Sequence, residues 1–204
     1  EVAINNDHGV ATLKMLKALT GYSNPDFLTF DSDVTQALWE AGDLAIATLW
    51  ATRGGKILDN EGSTEAITST TILAAAPTWG GGEKPASTLW WDGFTIAKNA
   101  SEADAEATFI AMMNGISTDM VKANNDLANW LIEGYVPSAS AEGFAATVMA
   151  GASPYPMLPY MGTLHTALGA ELSDFLQGTE SAEQALADVE AAYTANATEK
   201  GFLK

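Results

Sequence analysis

Hydrophobic and polar positions near the start of the chain recur at helical spacing. Residues 7–19 carry apolar side chains three and four apart behind Asp7, which predicts a helix capped by Asp7. A second, shorter helix is expected to begin at Asp31 or Ser32. Gly42 follows its last apolar position, where a residue in the left-handed conformation commonly ends a helix.

The pattern then changes to apolar runs of strand length. Residues 43–50 form a continuous run, which predicts a strand covered on both faces. Residues 71–76 form a second run that ends at Pro77, and residues 88–97 form a third, rich in Trp, Phe, Thr and Ile. The glycine-rich stretch between the second and third runs predicts a loop.

Helical spacing returns from residue 101 onward. Ser101 is expected to cap a helix whose buried stripe contains Phe109, Ile110 and Met113. Further helices are expected at Thr118–Ile132, Ala141–Ala150, Tyr160–Gln177 and from a capping box at Ser181 to about Ala197. Helices alternating with strands and followed by a helical tail indicate an α/β fold.

Composition narrows the function classes. The chain has 9 Lys plus Arg against 26 Asp plus Glu and a formal net charge of −17, which argues against binding to nucleic acid or to anionic lipid. It has no cysteine, so disulfides and thiolate chemistry are excluded. No run reaches the ~18 apolar residues that span a bilayer. No signal peptide is visible and the chain begins with Glu, from which we expect a processed or truncated chain.

Three passages in order carry a family resemblance. They read Val34-x-x-Ala37-Leu38-Trp39-x-x-Gly42-Asp43-x-Ala45-Ile46-x-x-x-Trp50, then Ala76-Pro77 through Trp91-Asp92-Gly93-Phe94-Thr95-Ile96-Ala97-Lys98-Asn99-Ala100-Ser101, and Gly178-x-x-Ser181-x-Glu183-Gln184-Ala185-Leu186. In this order and spacing they resemble family 1 extracellular solute-binding proteins of ABC importers, which are maltose-binding-protein-like. The resemblance covers nearly the whole chain.

The resemblance implies a type II periplasmic-binding-protein fold. The chain would be mostly its C-terminal lobe, with crossover strands near residues 72–97 and a helical tail over 101–204, and the N-terminal lobe would be absent. It also implies a periplasmic or extracellular monomer that binds a sugar or polyol and delivers it to the transmembrane subunits of an ABC transporter. The chain departs from the family pattern in having Trp90-Trp91 where many members have Gly-Gly.

The first candidate binding residues lie at the end of the first apolar run. Aromatic rings pack on the apolar C–H faces of a sugar, and guanidinium or carboxylate groups bind its hydroxyls. Trp50 and Arg53 stand where the ligand crevice of an open α/β sheet is expected. The alternative is that Trp50 belongs to the core and that Arg53 is a surface charge.

The third apolar run supplies the next candidates. Adjacent residues of a strand point to opposite faces, so one of Trp90 and Trp91 is expected in the core and the other in the cleft, and we favour Trp91 for the cleft. Asp92 within an apolar strand is costly unless it is hydrogen-bonded or reaches solvent. A ligand hydroxyl is one possible partner, and a backbone amide is the alternative.

The last candidates are Tyr160 and His165, on a helix that the resemblance places beside the cleft, where family members have an aromatic residue. A histidine between Leu164 and Leu168 is, alternatively, a half-buried side chain with a structural partner.

The sequence contains no pattern typical of a metal site or of a phosphate-binding loop. With two histidines and no cysteine we predict no metal site, and Gly80-Gly81-Gly82 lacks the Gly-Lys-Ser/Thr ending of a phosphate loop. We therefore predict a solute-binding protein without enzymatic activity, catalytic residues or cofactor. A carbohydrate-active enzyme or accessory sugar-binding module is the alternative, and an interaction domain without a small-molecule site is the third.

Overall fold

The structure is a computed structural model that describes residues 2–59 and 61–203. It divides into two compact units. Unit 1 contains the described residues up to Phe30 and those from Pro156 onward, and unit 2 runs from Asp31 to Tyr155. Helix accounts for 53% of the described residues, and their strands form one two-stranded parallel sheet. The expected α/β class is thus present in a coarse form, as helices with a small parallel sheet.

The helices alternate with irregular segments along the chain. In order they are α1 (Asp7–Thr20), α2 (Ser32–Glu40), α3 (Ala51–Leu58), α4 (Glu65–Thr68), α5 (Glu102–Gly115), α6 (Thr118–Ala123), α7 (Glu142–Met149), α8 (Met161–Glu171), α9 (Ser173–Gln177) and α10 (Ala182–Glu199). Short 3-10 helices cover Phe27–Thr29, Asn125–Leu127 and Ala139–Ala141, and the strands are β1 (Thr88–Leu89) and β2 (Ser153–Pro154).

Side-chain caps explain where five of the described helices begin, among them α6, where Ser117 accepts from the Met120 amide. Asp31, Ser101 and Ser181 each accept a hydrogen bond from a backbone amide in the first turn of α2, α5 and α10, as predicted. At α1 the cap is Asn6, which accepts from two amides, and the predicted cap Asp7 is instead the first helical residue. The local cap signals therefore placed these starts to within one residue.

The core of unit 1 is built around α10. Its apolar face is buried against α8, α1 and α9. One cluster joins α1, α9 and α10, and a second joins α8 and α10; their buried members are Leu13, Phe175, Ala182, Ala185 and Leu186 in the first, and Ala167, Val189, Tyr193 and Ala197 in the second. Unit 1 therefore has a helical core of its own.

Two predicted helices are shorter than expected. The helix over Thr118–Ile132 ends at Ala123, because the side-chain amide of Asn124 bonds the Met120 carbonyl and that of Asn125 bonds the backbone of Val136. Such local side-chain bonds compete with a continuing helix. The helix over Tyr160–Gln177 is split into α8 and α9 at Leu172, whose side chain packs against both core clusters.

The three predicted strands are mostly wrong. Residues 43–50 and 71–76 form no strand, and of residues 88–97 only Thr88–Leu89 does. Residues 51–55 form the first turns of α3. A strand needs a neighbouring chain for its ladder, and residues 44–49 make no backbone hydrogen bond to any other described residue.

The predicted buried stripe of α5 is also wrong. Phe109, Ile110 and Met113 are each about half exposed, and no residue of α5 is buried. The helix itself forms as predicted, because its cap and spacing are local features. Its apolar side chains remain largely at the surface.

Gly178 ends α9 in the left-handed conformation, at φ 87° and ψ 23°. We expect Gly178→Ala to lower the free energy of unfolding by about 1 kcal/mol, because an L-residue with a Cβ is strained there. A Cβ would meet Lys17 only at ordinary van der Waals distance, 3.4 Å from Nζ, so backbone strain dominates. Urea unfolding measures the loss. Gly169→Ala within α8 is the control, because alanine is favoured in a helix and nothing lies near its Cβ; a loss as large at Gly169 would contradict this explanation.

None of the helices in the described ranges is long and apolar enough to cross a bilayer.

Candidate functional site

The parallel pairing of β1 with β2 brings two aromatic residues together in unit 2. Thr88 pairs with Ser153 and Leu89 with Pro154. The Tyr155 amide then donates to the Leu89 carbonyl at 2.9 Å, which continues the pairing one residue further. Trp90 and Tyr155 are consequently neighbours, and their rings stack with centroids 4.0 Å apart and planes 28° apart.

Trp50 meets this pair from a third segment. Its ring lies 5.5 Å from that of Trp90, at an interplanar angle of 84°. The three rings form what we call the aromatic corner, defined by Trp50, Trp90 and Tyr155. Edge-to-face and offset-stacked contacts of this kind are favourable for aromatic rings, so the contacts among the three rings stabilise their arrangement.

The aromatic corner remains open to solvent. Trp50 is 52% exposed and Trp90 40% exposed, whereas Tyr155 is half-buried. Trp90 donates its indole N–H to Thr88 Oγ1 at 3.1 Å. The Trp50 indole N–H donates to no other residue that the structure describes, so it can bond a ligand.

Trp50 owes its position to α3. It directly precedes that helix, and its carbonyl accepts from the amides of Arg53 and Gly54 in the first turn. Gly54 lies close beneath Leu73, where an added Cβ would come within 3.0 Å of the Leu73 side chain. The close packing of α3 thus fixes the backbone from which Trp50 projects.

Arg53 is held by α2. Its Nη1 donates to Gln36 Oε1 at 3.1 Å and pairs with the Asp33 carboxylate. These bonds tie the first turn of α3, next to Trp50, to α2. The Nε and Nη2 groups make no hydrogen bond within the described residues, so donors remain for a ligand.

Trp91 and Asp92 both lie at the surface. Trp91 is 47% exposed and folds over Gly93, where an added Cβ would lie 3.3 Å from its Cζ3. The expectation that one of Trp90 and Trp91 is in the core is wrong, since both are exposed. Asp92 is exposed and its carboxylate makes no hydrogen bond to a described residue, so solvent removes the cost that its apolar neighbours suggested.

Tyr160 and His165 belong to unit 1. Tyr160 directly precedes α8 and is 39% exposed, and His165 is an exposed residue on α8. His165 is therefore exposed rather than half-buried, although it does make a structural interaction, as the alternative expected. Their predicted contact with a solute stays a prediction.

Sequence reasoning placed Trp50 at a site but missed two members of the aromatic corner. Strand alternation favours Trp90 as the core partner of Trp91, and Tyr155 lies in a proline-rich stretch that argues against a strand. Pro154 and Pro156 flank Tyr155, and a proline lacks the amide that a strand ladder uses. The signal that could have found Tyr155 is its backbone amide. Unlike the two flanking prolines, Tyr155 can donate a backbone hydrogen bond at a sheet edge.

The described part of the chain holds no group of three or more His, Asp or Glu that could bind a metal ion. What the aromatic corner offers instead is apolar ring surface next to hydrogen-bonding groups. A scan against protein-family models found no match for the chain, and a search of curated proteins found none.

Proposed function

We propose that this chain is the C-terminal part of an extracytoplasmic solute-binding protein, which binds a sugar or polyol between two lobes and delivers it to the membrane subunits of an ABC importer. The observation that supports this most is the aromatic corner. Three segments distant in sequence converge there, and the two tryptophans stay about half exposed.

A sugar suits this surface for two reasons. A pyranose has apolar C–H faces that stack on indole rings, and the partly exposed rings of Trp50 and Trp90, at 84° to each other, offer such surface. Its hydroxyls need planar donors and acceptors close to those rings. The Trp50 indole N–H is a donor within the aromatic corner itself.

Two charged side chains, those of Arg53 and Asp92, are proposed to bind the hydroxyls of the solute. Arg53 is three residues from Trp50 and keeps its Nε and Nη2 donors for solute hydroxyls, while Asp33 and Gln36 hold its Nη1. Asp92 is two residues from Trp90 and offers an exposed carboxylate. Trp91, between Trp90 and Asp92 in sequence, provides further exposed ring surface. Tyr160 and His165 are also proposed as solute-binding residues.

We propose binding followed by hinge closure, with no chemical change to the solute. In this scheme the chain adopts the C-terminal lobe of a type II periplasmic-binding-protein fold, and the closed form is what the membrane subunits recognise. Exposed tryptophans also suit an accessory sugar-binding module, so turnover of the solute is the property that distinguishes the alternatives.

A thermal-shift screen tests the proposal. The complete protein, with both proposed lobes, is heated with monosaccharides, oligosaccharides and polyols in turn, and each solute is analysed by chromatography afterwards. We expect at least one solute to raise the melting temperature, since ligand at 100 times its Kd stabilises a protein by about 2.7 kcal/mol, and we expect it to be recovered unchanged. Conversion of the solute would favour an enzyme. No shift with any solute would favour a plain interaction domain.

A further inference from the structure

The segment that follows β1 contains an aspartate with a glycine directly after it. Asp92–Gly93 is the one Asp-Gly pair in the sequence. An aspartyl side chain can close a five-membered ring on the next backbone nitrogen, and glycine has no Cβ to hinder the approach to that nitrogen. Regular secondary structure usually prevents this ring closure, so the conformation around Asp92 and Gly93 decides whether it occurs.

Hydrogen bonds hold neither Asp92 nor Gly93 in place. Residues 90–97 have no regular secondary structure, and no amide or carbonyl of residues 91–96 bonds the backbone of another described residue. Both residues are exposed, and neither the Asp92 carboxylate nor the Gly93 amide bonds a described side chain. The torsions of Asp92 are therefore free to bring its Cγ to the Gly93 nitrogen, as an intramolecular attack requires.

We infer that Asp92–Gly93 is a site of self-modification, at which Asp92 converts to isoaspartate. The Gly93 nitrogen attacks Cγ of the protonated Asp92 carboxyl, a C–N bond forms, the nitrogen loses its proton and water leaves, which gives a succinimide. Water then adds to one of the two ring carbonyls and breaks the C–N bond at that carbon. Opening at Cγ restores aspartate, whereas opening at the backbone carbonyl carbon gives isoaspartate. One water is released and one is consumed, so the reaction needs no other reactant.

The product differs from the original chain in shape but not in mass. The main chain gains one methylene between Asp92 and Gly93, and the carboxylate becomes attached directly to Cα. Under the proposed function this change displaces a carboxylate that binds solute hydroxyls. Neither step of the reaction needs a solute, so the inference stands or fails independently of the proposed function.

The chain also contains a matched site that should resist the reaction. Asn114–Gly115 is the one Asn-Gly pair in the sequence, and both residues are exposed. An asparagine closes the same ring with loss of ammonia, and it is intrinsically more reactive because a carboxylate must first be protonated. Gly115, however, is the last residue of α5, and the Asn114 side-chain amide donates to the Ile110 carbonyl at 2.9 Å. The ring can close only after the end of the helix opens, which costs free energy.

Peptide mapping of the aged protein tests the inference. Trypsin cleaves after Lys98 and Lys122, so the two sites fall in different peptides. Electron-transfer dissociation distinguishes isoaspartate from aspartate at position 92, and the peptide mass reports deamidation of Asn114. After weeks at neutral pH we expect conversion at Asp92 to exceed that at Asn114 by at least about tenfold, and we expect the order to reverse in urea, where α5 no longer protects Asn114. Aspartate retained at position 92, or faster conversion of Asn114 in the folded protein, would overturn the inference.

Asp92→Glu is the matched variant. Its longer side chain would have to close a six-membered ring, which forms more slowly, while the charge is kept. We expect the variant to lose most of the isoaspartate that accumulates in the aged protein, as measured by enzymatic methylation of isoaspartyl carboxylates. Circular dichroism should show an unchanged fold, because Asp92 is exposed. An undiminished isoaspartate content in the variant would place the reaction at another residue and contradict the assignment to Asp92.

Discussion

Leu186→Ala will lower the free energy of unfolding by about 2–5 kcal/mol, the largest loss of stability that we predict. Leu186 is 2% exposed and lies in the cluster that joins α1, α9 and α10. Truncation removes buried methyl groups and leaves a cavity, because the neighbouring side chains relax only in part. Urea unfolding monitored by circular dichroism measures the change.

Leu19→Ala is the matched control, because Leu19 is a helical leucine of α1 that is 53% exposed. Its substitution should change stability by no more than about 0.5 kcal/mol. A loss below about 1 kcal/mol at Leu186, or equal losses at the two positions, would contradict the assignment of the core of unit 1 to the face of α10.

Trp50→Ala will weaken binding of the solute by at least about fivefold, which corresponds to about 1 kcal/mol. The substitution removes the Trp50 ring from the aromatic corner, together with an indole N–H that donates to no other described residue. Asp92→Ala is expected to weaken binding by at least as much, through loss of a charge-assisted bond to a hydroxyl. Isothermal titration of the complete protein with the solute found in the screen gives both values.

Trp79→Ala controls for the loss of an exposed tryptophan. Trp79 is 56% exposed, close to the value for Trp50, but makes no ring contact with a described aromatic residue. Its removal should leave the Kd unchanged. Unchanged affinity in both Trp50→Ala and Asp92→Ala would remove the proposed site, provided that the melting temperatures show that the variants fold.

Helix starts could be predicted from the sequence because their causes are local. Asp31, Ser101 and Ser181 bond amides within three residues, so the residues that determine the cap lie within one turn. At Ser181 only half of the predicted capping box forms, because Gln184 donates its side-chain amide to Asp188 instead of returning to the cap. That choice depends on a residue one turn further along.

Strands could not be predicted in the same way because pairing is non-local. The run at 43–50 has the composition of a buried strand, yet residues 44–49 lack any described backbone partner. Thr88 and Leu89 form a strand only because Ser153 and Pro154 lie beside them, in a segment distant along the chain. Apolar composition reports which segments favour a strand, and the ladder depends on what lies next to them.

The same distinction between local and non-local causes applies to the residues of the candidate site. Trp50 was predicted from its place at the end of an apolar run, and the structure brings it into the aromatic corner. Tyr155 was missed because its position depends on the register between β1 and β2. Trp90 was assigned to the core by strand alternation, but the strand ends at Leu89, so alternation does not apply to it.

The central claim is that the solute stacks in the aromatic corner, and fluorine NMR of the complete protein labelled with 5-fluorotryptophan tests it directly. Resonances are assigned by replacing each of the six tryptophans of the 204 residues in turn. We predict that saturating solute shifts the signals of Trp50 and Trp90 and leaves that of Trp79 in place. Unmoved signals of Trp50 and Trp90 in the presence of bound solute would contradict the account.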